Sequence, residues 1–378
     1  MKKTLIKVFS ILLILVVSFS CFGGCSGSEE IKNVIIIIGD GMGLEHIKAG
    51  QIYEGREYSF TKWHNTLVNT DSLGDDGNYV LTDSAASGTA MATGQLTKNG
   101  YVGMSVLGDE FETIMDKAKK VGKTTAIVTT DDIFGATPSA FSAHSMNRAN
   151  TTEIINSQIK TSNVDLLCGA YTAETIGDNV RELVEQNGYA FCKRFADLAT
   201  TTSSNKAYWQ VSIGGVYASE SLSSVTKKAL EFVSKDQDGF VMMIEQAHVD
   251  KYSHGGEFEN AIKSVQSLND TVDAVMEWIG NRKDTAVLVT ADHETGGLSV
   301  SENENTYKRV QRTLDNKTFS WQYITGDHTR SKVGLFVYGI KPKFESFTSF
   351  SENAIKNVEI YRIVSSLLED PLVYSQKG

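Results

Sequence analysis

Asn33-Val34-Ile35-Ile36-Ile37-Ile38-Gly39-Asp40-Gly41-Met42-Gly43 is a short, unbroken apolar run that ends in a carboxylate set among glycines. Five β-branched residues bounded by turn residues are too few for a buried helix and fit a strand covered on both faces, as in a parallel sheet. Further runs of the same kind lie at 124–129, 164–168, 239–245, 285–290 and 333–338. Between them, 111–120, 175–186, 222–233 and 259–278 carry helical periodicity. This alternation predicts an α/β fold, a three-layer sandwich with a central, mostly parallel, doubly wound sheet. Residues 301–325 are polar and weakly periodic and read as an inserted loop or small subdomain.

The chain has 378 residues, 41% of them apolar, with three prolines, enough for a large core. Its first residues stand apart. Lys2, Lys3 and Lys7 precede an uncharged apolar stretch at 8–17 that is short for a membrane span, and no basic stop-transfer cluster follows. Residues 1–24 are therefore expected to be a signal peptide of the lipoprotein type, with 25–32 a polar tether and 33–378 the folded domain. Gly23-Gly24-Cys25, followed by Ser26-Gly27-Ser28-Glu29-Glu30, makes Cys25 the better lipidation candidate than Cys21. Plain secretion is the alternative. On the first reading the protein is exported and held at the cell surface by a lipid anchor in the membrane. Without residues 1–24 the net charge falls from −10 to −13. So acidic a chain is a poor routine partner for nucleic acid, and phosphate recognition has to be local. Cys168 and Cys192 could be bridged or could be two buried thiols.

In open α/β sheets, ligand groups gather beyond the carboxyl ends of the strands. Asp40 ends the first run, Thr137 follows the second, Glu245 and Asp250 follow the fourth, and Asp292-His293 ends the fifth. Asp40 alone is equally a metal ligand or a turn residue capping the next helix. Asp250 and His254, four apart, could line a solvated helix face. With Asp292-His293 and His328 they offer the oxygen and nitrogen donors that suit zinc. The run Thr82-Asp83-Ser84-Ala85-Ala86-Ser87-Gly88 opens a helix of small residues, and Ser84 there is either its cap or a nucleophile beside free backbone N–H groups. Arg148 offers a guanidinium fork for phosphate oxygens, but by itself is also an ordinary surface residue.

Taken together, Gly-Asp-Gly-Met-Gly at 39–43, Thr-Asp-Ser-Ala-Ala-Ser at 82–87, Ala-Thr-Pro at 136–138, His144 with Arg148, Glu245 with Asp250 and His254, Ala-Asp-His-Glu-Thr-Gly-Gly at 291–297 and His328-Thr329 resemble the alkaline phosphatases, in that family's order. The resemblance runs from about residue 33 to 340. It implies hydrolysis of small-molecule phosphate monoesters through a phosphoseryl intermediate on Ser84. It implies two zinc ions, one held by Asp250, His254 and His328 and the other by Asp40, Asp292, His293 and Ser84. A magnesium ion would be bound by Asp40, Thr137 and Glu245, with Arg148 clamping the phosphoryl oxygens. A homodimer is a further expectation from the family.

One position departs from the pattern. Relatives carry Asp or His two residues before the Ala-Thr-Pro threonine, where this chain has Gly135. Lys251, a substrate and water-network residue in that scheme, is then expected to lack its carboxylate partner. The rival readings are a phosphodiesterase or phosphonate hydrolase on the same scaffold and a non-catalytic metal-binding lipoprotein. A sulfatase is excluded by the missing Cys or Ser motif with Pro and Arg.

Overall fold

The isoleucine run forms a strand because every side chain in it finds cover: Asn33–Gly39 is buried throughout. The computed structural model describes residues 30–170, 180–199, 206–213, 220–344 and 354–374. The signal peptide, the tether through Glu29 and Cys25 lie outside the described residues. Ten strands form the central sheet: β1 Asn33–Gly39, β2 His64–Asn69, β3 Thr124–Asp132, β4 Leu166–Ala170, β5 Tyr189–Cys192, β6 Lys206–Gln210, β7 Phe240–Gln246, β8 Thr285–Thr290, β9 Val333–Tyr338 and β10 Ala354–Lys356. Their order is β10-β2-β9-β8-β1-β7-β3-β4-β6-β5.

β1 lies between β8 and β7, parallel to both. Strand β9 runs antiparallel to β8 and β2, so the run at 333–338, read as one more parallel strand, is the reversed member of the sheet. Ile38 and Thr129 are level with Glu245 across β1, β7 and β3, which puts the ends of three strands and their turns at one edge. Helices Leu222–Val233 and Phe258–Ile279 follow the expected amphipathic stretches, burying one face each. Of the expected helix at 175–186, the described part is Val180–Gln186.

Cys168 and Cys192 are both buried thiols, not bridged to each other. Each registers with Trp209 of β6, from β4 and β5 on either side. Two strand spacings separate them by ~9.6 Å, beyond the ~7 Å limit for a disulfide.

The polar stretch at 301–325 is not a plain loop. Ser299–Ser301, Thr318–Gln322 and Arg309–Arg312 form a three-stranded antiparallel sheet with its own small core. Val300, Phe319 and Trp321 pack with Phe258 and Ile262 of the long helix. Trp321 and Phe258 stack with ring centres 4.2 Å apart.

Candidate metal centre

Asp40 leaves β1 at a turn that only glycine can complete. Gly41 has φ +72°, and a Cβ on it would lie 2.7 Å from Thr295 Oγ1 and 2.8 Å from the Asp250 backbone. The turn is thus wedged against the two other segments that bear carboxylates. Backbone bonds fix it: Asp40 N–H donates to Gln246 O (3.0 Å) and Gly41 N–H to Asp292 Oδ1 (3.1 Å).

Two groups of metal-ligating side chains result, Asp250 with His254 and His328, and Asp40 with Asp292 and His293. The helix His248–His254 carries Asp250 and His254 on one face, four residues apart. His328 reaches them because Glu294–Thr295 pairs antiparallel with His328–Thr329, Thr295 opposite His328.

All three imidazoles are oriented by a fixed partner on Nδ1. His254 Nδ1 lies 2.5 Å from Gly326 O and His328 Nδ1 2.8 Å from Thr82 O. A carbonyl oxygen only accepts, so both rings carry the proton on Nδ1. His293 Nδ1 lies 3.2 Å from Thr295 Oγ1, whose own hydroxyl proton goes to Asp250 Oδ1, so His293 is again the donor. Each ring therefore turns Nε2 toward carboxylate oxygen. His254 and His328 Nε2 stand 3.2 and 3.5 Å from Asp250 Oδ1, and His293 Nε2 stands 3.4 Å from Asp40 Oδ1 and 3.2 Å from Asp292 Oδ2. Imidazole nitrogen facing carboxylate oxygen is repulsive unless a proton or a cation lies between them. The rings of His293 and His328 stack at 3.5 Å, so the two groups share a wall.

The electrostatics agree. Burial, then the charges of Asp292, Asp250 and Glu245, hold the Asp40 carboxyl well above the usual carboxylate range. Burial and the charge of Asp131 push Glu245 up to about 8. His254 is raised to about 9, chiefly by its bond to Asp250. Asp40 Oδ1, Asp292 Oδ2 and Thr137 Oγ1 are buried with no hydrogen bond of ordinary geometry, although Thr137 is close enough to Glu245 to ease its ionisation. Buried carboxylates crowded this closely fit divalent cations, which replace the protons they would otherwise keep.

Ser84 opens the helix Ser84–Thr93 but does not cap it. Asp83 is the cap, with Oδ1 accepting from Ala86 N–H at 2.9 Å. The Ser84 hydroxyl is left to face His293 Nε2 at 3.1 Å. Asp83 Oδ2 accepts from Gly100 N–H (3.0 Å) and from Arg148 Nη1 (3.1 Å), which ties Arg148 to the residue before Ser84. The Arg148 side chain is 40% exposed, so the rest of its fork remains available.

Glu245 accepts from Thr129, its charge acts on Asp40, and Thr137 lies close to it, so the three stand near one another. The expectation for Lys251 is corrected: its ammonium is paired with the carboxylate of Asp131. Asp131 closes β3 at the carboxyl edge of the sheet, the signal by which it could have been picked out. Reading from sequence also passed over the orienting role of Thr295 and the buried link from His46 Nε2 through Ser253 Oγ (3.0 Å) to Tyr323 OH (3.1 Å).

Comparison with known proteins places these residues in a wider setting. The sequence matches the family model described as Alkaline phosphatase over residues 31–190 and 196–359. Alkaline phosphatase 4 of Bacillus subtilis is 30% identical over 300 residues, covering 72% of this chain and 64% of that protein. Alkaline phosphatase of Escherichia coli is 27% identical over 387 residues, covering 82% of this chain and 81% of its own. The match to the two Bacillus subtilis relatives thus spans less than two thirds of their length. Among solved structures, alkaline phosphatase from the Antarctic bacterium TAB5 superposes with TM-score 0.74 at 23% identity, over 91% of this chain and 99% of that one. A variant of the TAB5 protein, with TM-score 0.74 and 24% identity over 91% of this chain and 99% of its own, was solved with magnesium bound.

Proposed function

The chain belongs to the alkaline phosphatase family, and from that premise we propose that it hydrolyses phosphate monoesters, with Ser84 as the nucleophile. The observation that carries this reading is the Ser84 hydroxyl, freed from capping by Asp83 and set 3.1 Å from Nε2 of His293, which belongs to one of two adjoining sets of metal-ligating side chains.

Asp250, His254 and His328 would hold one zinc ion, and Asp40, Asp292 and His293, with Ser84, the other. Asp40, Thr137 and Glu245 would hold a magnesium ion, the cation found in the TAB5 variant. Bound there, the metals would lower the pKa of a hydroxyl or water and offset the charge of the phosphoryl group. The protein's own contribution is orientation. The Asp83 cap fixes the first turn of the helix, so Ser84 Oγ presents one lone pair toward incoming phosphorus. Attack forms the Oγ–P bond of the Ser84 phosphoester and breaks the bond to the ester oxygen, the Ser84 hydroxyl proton passing to solvent and the leaving oxygen taking one from it. Water then attacks the same phosphorus and returns the proton to Ser84 Oγ as phosphate departs. Arg148, tethered by Nη1, turns its remaining N–H groups to the phosphoryl oxygens throughout. Gly326 and Thr82 carbonyls hold His254 and His328 in a single tautomer, which leaves Nε2 of each ring ready for coordination.

The test compares hydrolysis of p-nitrophenyl phosphate and bis(p-nitrophenyl) phosphate by wild type and Ser84→Ala, with zinc measured on the same samples. Monoester should be preferred, and Ser84→Ala should keep its zinc while losing ~10³-fold or more in kcat. Preference for the diester would assign a phosphodiesterase instead, and zinc uptake without turnover a metal-binding protein. We infer from residues 1–25 that the protein is exported and lipid-anchored; Cys25→Ser should release it from the membrane fraction.

A further inference from the structure

Gly135 and Asp131 stand one helical turn of chain apart, on the two sides of the bend that follows β3. A Cβ added to Gly135 would lie 2.9 Å from Asp131 Oδ2 and 3.0 Å from the Asp132 carbonyl oxygen. The space beside residue 135 is therefore filled by the carboxylate of residue 131.

That carboxylate is held firmly. Asp131 N–H donates to Thr129 Oγ1 (2.9 Å), and Asp132 N–H donates to Asp131 Oδ1 (2.7 Å). The Thr129 hydroxyl donates to Glu245 Oε2, so Asp131 and Glu245 brace the same threonine. The charge of Asp131 acts on Glu245, and Lys251 feels Asp131, Glu245 and Asp40 together. The Lys251 side chain is 47% open to solvent, against 25% for Asp131, so the aspartate is the more enclosed member of the pair.

We propose that Asp131 is the positioning residue for Lys251: working in the space that Gly135 leaves open, it sets the lysine beside the Asp40, Thr137 and Glu245 cluster and supplies that cluster's outer negative charge. This rests on the functional reading above. Magnesium keeps several of its waters when bound, so groups one layer out from the ligands govern its retention. A carboxylate that both holds the lysine and faces the cluster favours a hydrated dication.

Magnesium chloride titrated calorimetrically into zinc-loaded protein tests the proposal without recourse to turnover. Asp131→Ala should weaken magnesium binding by ~10–100-fold, the usual cost of losing an outer partner of a metal site. The double variant Asp131→Ala with Gly135→Asp returns a carboxylate to the same space from the other side of the bend, and should recover most of that loss. Asp131→Asn keeps the volume and the acceptor for Asp132 N–H, and gives the same readout if Asp131→Ala does not fold. Unchanged magnesium affinity in Asp131→Ala or Asp131→Asn overturns the proposal. So does a folded double variant with no recovery. A wild type that hydrolyses the monoester but takes up no magnesium overturns it too and leaves the hydrolase reading intact. Magnesium binding that depends on Asp131 in a protein without turnover upholds the positioning role and removes the hydrolase reading.

Discussion

Asp83 and Ser84 are neighbours with opposite tasks. The aspartate satisfies the helix terminus, which lets the serine turn outward to His293. Both residues suit an N-cap, and only the backbone angles, extended at Asp83, separate the roles. The metal-ligand candidates were legible because each falls at a strand end or in a short motif. Asp131 shares that strand-end signal, but its pairing with Lys251, 120 residues away, depends on the bend at Gly135 and is not legible. Thr295 was quoted only as part of a motif. Its hydroxyl bonds Asp250 and orients His293 at once, so it bridges both ligand groups. Thr295→Val keeps the shape and removes both bonds. It should weaken zinc affinity by ~10-fold or more, measured by competition with a chromogenic chelator, while the folded secondary structure is unchanged. Wild-type affinity in that variant would show that Thr295 orients neither ligand.

The elements that were easy to read are those covered on both faces. β1, β3, β7 and β8 appear as continuous apolar runs because helices cover both sides of the sheet. β2, with the sequence HNTLVN and only Val68 buried, has no such signature and is recruited by pairing with β9. The small sheet around Arg309–Arg312 is likewise hidden, since RVQR is exposed and gains its place from Thr318–Gln322. What anchors that sheet is Trp321 on Phe258. The indole N–H is buried with no hydrogen-bond partner, so the ring acts through packing alone. Trp321→Ala should cost ~3 kcal/mol, at the low end for a large aromatic, and Trp321→Phe ~1 kcal/mol or less, read from denaturant midpoints. Equal losses in the two would mean that the N–H is bonded after all.

For the molecule as a whole, the crowded carboxylates make stability depend on pH in a way that metals should reverse. In the folded, metal-free chain burial and the charge of Asp131 push Glu245 up to about 8, from the 4.5 of an exposed glutamate. The folded state binds more protons between those values, so stability falls as pH rises through them. His254, raised from 6.5 to about 9, adds stability that is complete below 6.5 and gone by about 9. Bound cations displace these protons and hold more tightly as pH rises. The Tm difference between zinc-loaded and chelator-treated protein should therefore widen from about pH 5 to about pH 9. A difference that stays constant or narrows would contradict the crowding of charge at this site. The order of the ligands along the chain has a consequence for biosynthesis. Asp40 and Ser84 leave the ribosome early, whereas Asp292, His293 and His328 are added near the end. At about 5–20 residues per second, Asp40 waits roughly 15–60 s for His328. A ribosome stalled before residue 328 therefore leaves a product in which the group of Asp250, His254 and His328 lacks its last member, while that of Asp40, Asp292 and His293 can already be complete.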